Sequence, residues 1–67
     1  MEITFNNQIS QIEVNTSIQI ALNNWIGDKQ KGIAIAVNET VVPKTQWDSY
    51  KLQHHDHVLV IKATQGG

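Results

Sequence analysis

The chain has no cysteine and no arginine, one proline, and charged side chains at only 16% of its 67 positions. Each scarcity removes a class of function. Without cysteine there is no disulfide framework, no thiolate zinc site and no thiol nucleophile. Without arginine, and with five lysines against six acids for a net charge of −1, the chain lacks the basic patch of a nucleic-acid module. No apolar run approaches the roughly 20 residues of a membrane-spanning helix. A charged start followed by an apolar stretch is also missing, so no secretory signal is expected, and the expected compartment is the cytoplasm. At this length one small domain is expected, covering residues 1–67, with a core of marginal size.

Amides supply most of the polarity, with 13 Asn and Gln, while Ile and Val contribute 15 residues and bias the chain toward strands. Residues 1–5 alternate, with Ile3 and Phe5 on one face, and read as a strand. Asn6-Asn7-Gln8 reads as a turn and residues 9–14 as the returning strand, with Ile12 and Val14 on one face. Ile9 has the wrong parity; either a bulge restores it or it belongs to the turn. Thr16 and Gln19 have capping-box spacing. Ile18, Ala21, Leu22, Trp25 and Ile26 then form one helical stripe, so a helix is expected over 17–26, stopped by Gly27.

Residues 28–32 read as a loop, 33–37 as a buried strand, 38–40 as a turn and 41–42 as a short strand ended by Pro43. A single helical turn is expected over 44–47, and 58–61 reads as a central strand. The order summarises as ββαββ, an α+β fold with one main helix packed on one face of a mixed sheet. The first and last strands are expected to pair in the centre. In the last strand Val58 and Val60 point one way, Leu59 and Ile61 the other. One pair faces the helix, and the other forms an apolar contact surface on the open face.

No nucleophile elbow, phosphate loop or paired-carboxylate motif is present. Residues 54–57, His-His-Asp-His, are the one cluster with metal-ligand chemistry, but they fall at the mouth of the last strand and show no fourth ligand, so a solvated turn is the stronger reading and no metal is expected. Trp25 reads as core; Trp47 either plugs the end of the core or lies against a partner. The ending Gly66-Gly67 is either a frayed end or a cloning remnant, or it is functional. Two glycines can thread a narrow channel and leave the terminal carboxylate unhindered for activation. Nothing in residues 64–67 can anchor them, so a mobile tail is expected.

The stretch "GIAIAVNETVVPKTQW" from Gly32 to Trp47, together with the start "MEITFNNQ", residues 58–61 and the ending "ATQGG", resembles the ThiS family of sulfur carriers of thiamine biosynthesis. The resemblance spans the whole chain and implies the ubiquitin-like β-grasp fold. It also implies a protein co-substrate without turnover of its own. An E1-like adenylyltransferase of the ThiF type, using ATP and Mg, adenylates the carboxylate of Gly67, with Gln65 and Gly66 as the tail that presents it. A cysteine desulfurase or other persulfide donor supplies sulfur to form a thiocarboxylate, and a thiazole synthase of the ThiG type takes that sulfur. No bound cofactor is implied. Leu59 and Ile61 are the candidate docking residues.

Two positions depart from the family pattern. Lys44 stands where Arg is frequent, and His55-Asp56 stands where Gly-Asp is frequent, so a different turn is expected there. The alternatives are a carrier for molybdopterin synthesis or tRNA thiolation, a ubiquitin-like interaction module, and a small metal-binding protein using the histidines.

Overall fold

The computed structural model describes residues 1–62; the tail expected at 64–67 lies outside the described residues. Two short loops set the sheet. Asn6 and Asn7 (φ 48° and 69°) join β1 (Glu2–Phe5) to β2 (Gln8–Gln11), and Asn38 and Glu39 (φ 51° and 71°) join β3 (Ile33–Val37) to β4 (Thr40–Val42). Two consecutive left-handed residues match the twist of paired strands, and Asn tolerates that conformation better than most.

The two-residue loop fixes Phe5 opposite Gln8 and therefore Thr4 opposite Ile9. This overturns both expectations for Ile9: the ladder is continuous and Ile9 belongs to β2, on the face away from the helix. The strand also ends earlier than expected. Val14 lies beyond it in a turn with left-handed Asn15, and is exposed rather than sharing a buried face with Ile12.

Helix α1 (Ile18–Trp25) begins one residue later than expected and is capped differently. Ser17 is the N-cap, its Oγ accepting from the Ile20 amide at 3.2 Å. The capping box of Thr16 and Gln19 does not form: Thr16 Oγ1 donates to the Glu13 carbonyl, and the Gln19 side chain donates to Asn23 and Gln30. The reason is that the first helical donors are satisfied elsewhere. The Ile18 amide donates to the Tyr50 carbonyl and the Gln19 amide to the Trp47 carbonyl. Gly27, at φ 59°, closes the helix with its amide on the Leu22 carbonyl.

β5 (His57–Lys62) is the centre of a five-stranded sheet in the order β2-β1-β5-β3-β4, parallel to β1 and antiparallel to β3. With β4 counted the order is ββαβββ, the mixed-sheet β-grasp form of the α+β class. The helix covers one face. Ile3, Ile18, Leu22, Ile35, Val58, Leu52 and Trp47 are the largest fully buried apolar side chains, and Trp47 Nε1 donates to the Val42 carbonyl at 2.9 Å.

Trp25, expected in the core, is only half-buried at the margin, stacked on Phe5 with ring centroids 4.0 Å apart. It is the last residue of α1 and packs against the edge of the core. Leu52 has no periodic neighbours in the sequence to mark it as core. It is buried because residues 50–52 run beside the helix start, with its amide on the Thr16 carbonyl and Lys51 bridged to Ser17.

Candidate functional site: the open face and outlet of β5

β5 is pinned by two asparagines from the hairpin loops. Asn38 Oδ1 accepts from the His57 amide at 3.0 Å, and the Asn38 amide donates to the His57 carbonyl at 2.8 Å. Asn6 Oδ1 accepts from the Val60 amide at 2.9 Å, past the point where β1 itself ends. The side chain thus continues the parallel ladder for one more bond. The strand is held on the β1 side as far as Val60 and on the β3 side as far as Lys62.

Asp56, at the entry to β5, is buried and fully engaged. Its carboxylate accepts from Asn38 Nδ2 at 2.9 Å and from the Gln53 amide at 2.8 Å, and its carbonyl accepts from the Thr4 amide. The turn it closes corrects one sequence expectation. His55 does adopt the left-handed conformation, φ 72°, held by its amide on the Glu2 carbonyl and by ring contact with His54. An L side chain is disfavoured in that conformation by about 1–2 kcal/mol. His55→Gly is therefore expected to raise stability by about 0.5–1 kcal/mol in urea unfolding, the loss of the ring contact and of chain stiffness offsetting part of the gain. An equal loss of stability would show that the His54–His55 contact outweighs the backbone strain.

The His54 ring is occupied locally. His54 Nδ1 accepts from the Glu2 amide at 3.0 Å. Among the described residues no three His, Cys, Asp or Glu side chains are grouped to hold a metal ion.

Val58 and Val60 face the helix, while Leu59 and Ile61 are exposed on the opposite face, 38% and 47%. The register widens this apolar surface beyond the two residues named from sequence. Leu59 pairs with Ala36, which pairs in turn with Val41, while Ile61 pairs with Ala34. The two alanines leave a shallow strip between taller side chains. Ile9 lies on the same face across Thr4 and is 70% exposed. Ile9 and Val41 escaped sequence reasoning because their placement depends on the two-residue loops. Gln65, Gly66 and Gly67 follow the end of β5 and lie outside the described residues.

The ThiS family profile matches residues 2–67. The sulfur carrier protein ThiS of Escherichia coli (strain K12) is 31% identical over 67 residues, all of both chains. The chain belongs to the ThiS family. The fold agrees: the crystal structure of the thiamine biosynthesis protein ThiS from Geobacter metallireducens superimposes with a TM-score of 0.88 over all of both chains, at 17% identity. Within this ThiS fold, Lys44 opens the short 3-10 turn Lys44–Gln46 and is exposed, and His55 takes a positive φ without being glycine.

Proposed function

We propose that this chain is a sulfur carrier whose Gly67 carboxylate is activated and then thiolated for the thiazole ring of thiamine. The observation that carries the reading is the full-length relationship to the Escherichia coli sulfur carrier. The arrangement around β5 supports it, since a carrier needs a well-held strand and one face to dock.

The chemistry resides in the main chain. A carboxylate is a poor acylating group until one oxygen attacks the α-phosphorus of ATP and pyrophosphate leaves. The acyl adenylate is then open to a persulfide sulfur, with AMP as leaving group, and an external thiol cleaves the resulting acyl disulfide, releasing the thiocarboxylate and ending as a disulfide with the donor cysteine. Gly66 and Gly67 place no Cβ beside that carbon, and Gln65 continues the tail. The ATP and Mg belong to an E1-like adenylyltransferase, the sulfur to a cysteine desulfurase or similar donor, and the product goes to a thiazole synthase. This chain acts as a co-substrate in the cytoplasm, with no turnover of its own. Adenylation is tested by ATP–pyrophosphate exchange with the cognate adenylyltransferase. Exchange that depends on this chain supports the reading; exchange at the enzyme's background rate contradicts it.

The open face of β5 docks the activating enzyme through Leu59 and Ile61. Leu59→Glu or Ile61→Glu is expected to weaken binding by about 2 kcal/mol or more, the cost of losing a central anchor at an interface. Calorimetric titration checks this, and normal binding by the folded variants would remove these residues from the interface.

A further inference from the structure

The lysines are unevenly placed. Three of the five surround the end of β5, although the chain as a whole carries a net charge of −1. Lys62, the last residue of β5, pairs in register with Ile33 at the start of β3. Gly32, at φ 73°, turns the preceding loop so that Lys31 lies on the same cleft. Lys29 lines that cleft too, a space of about 250 Å³. It also lines an adjoining one of about 350 Å³, shared with Lys62 and floored by Trp25 and Ile26. All three are exposed, and only Asp28 among the residues 28–33 and 62 carries the opposite charge, so this end of β5 presents a net positive surface to a partner.

We infer that Lys29, Lys31 and Lys62 form a basic collar that docks on a carboxylate-lined rim of the activating enzyme, around the mouth that receives the tail. This rests on the carrier reading and adds to it a second contact, of different chemistry from the apolar face. Reach separates this partner from the nucleotide. Five residues follow Lys62, and a fully extended chain spans roughly 3.3 Å per residue, or about 17 Å in all. With the tail drawn out into an active site, the phosphates at Gly67 lie beyond the lysines. The collar meets the protein surface at the entrance.

Charges at a rim act mainly on the rate of association and its salt dependence. The test is stopped-flow binding to the cognate adenylyltransferase at several salt concentrations. Lys29→Glu/Lys62→Glu is compared with Lys44→Glu/Lys51→Glu, which changes net charge equally. Lys51 is bridged to Ser17 at the other end of α1. The collar variant is expected to associate about tenfold or more slowly at low salt, with a flattened or reversed salt dependence, and the control less than about threefold more slowly. At saturating enzyme the collar variant still acquires sulfur. Equal slowing of both variants, or of neither, overturns the collar. If the unsubstituted chain itself fails to acquire sulfur, the carrier reading falls and the collar with it.

Discussion

Deleting Gly67 is expected to abolish sulfur acquisition while leaving the fold of residues 1–62 unchanged. Every core side chain and every hydrogen bond described lies within residues 1–62, so loss of the last residue touches none of them. Changes away from such features usually stay within about 0.5 kcal/mol, and urea unfolding of the shortened chain is expected to stay within that margin. The loss of function is expected to be complete rather than graded. On the proposed function the reacting group is the main-chain carboxylate itself, and shortening the tail would withdraw it from the nucleotide; a misplacement of about 1 Å can already cost about 100-fold. A shortened chain that still gained sulfur would place the acceptor elsewhere.

Trp47→Ala has the largest expected effect on stability. The indole is 1% exposed and its Nε1 donates to the Val42 carbonyl at 2.9 Å. Truncating a buried Trp costs about 3–5 kcal/mol through lost burial and the cavity left behind. Native stability runs at roughly 0.05–0.15 kcal/mol per residue, or about 3–10 kcal/mol for a chain of this length. The substitution therefore removes a large part of the total, and much of the variant is expected to be unfolded at 37 °C. Trp25→Ala, at the half-buried margin, is expected to cost less than half as much. Urea unfolding of both variants decides the order. A smaller loss for Trp47 than for Trp25 would reverse the assignment of the core.

Most of the architecture was legible in local pattern. Ile3 and Phe5 alternate, Ile18 to Trp25 keep a helical stripe, and the run at 58–61 is apolar on both faces, so two strand types and one helix follow from periodicity alone. Register was less legible, because it depends on loop conformation. Nothing in "NNQ" states that Asn6 and Asn7 alone make the loop, yet that choice places Ile9 opposite Thr4 and carries Ile9 onto the open face.

The capping box failed for a tertiary reason. The carbonyls of Trp47 and Tyr50 reach the first helical amides, leaving Ser17 to cap the next one. Leu52 and the left-handed His55 were hidden because residues 48–57 have no period and are shaped by contacts to β1 and α1. At the site, the exposure of Leu59 and Ile61 follows from strand alternation, whereas the extension of that face to Val41 and the lysine collar depend on cross-strand pairing.

On the proposed reading the apolar face and the collar divide the work of docking. Buried aliphatic side chains resist dissociation, and exposed lysines speed and orient the encounter. The Asn6 and Asn38 clamps hold β5 so that both surfaces keep a fixed relation to the strand that leads into the tail.

The central claim is that this chain carries sulfur on the carboxylate of Gly67. Its most direct test is the intact mass of the chain after incubation with the cognate adenylyltransferase, ATP, Mg and a persulfide donor, followed by fragmentation of the product. A gain equal to the mass difference between one sulfur and one oxygen, localised to Gly67 and absent without ATP, is the expected result. An unchanged mass, or a gain on any other residue, would contradict the account.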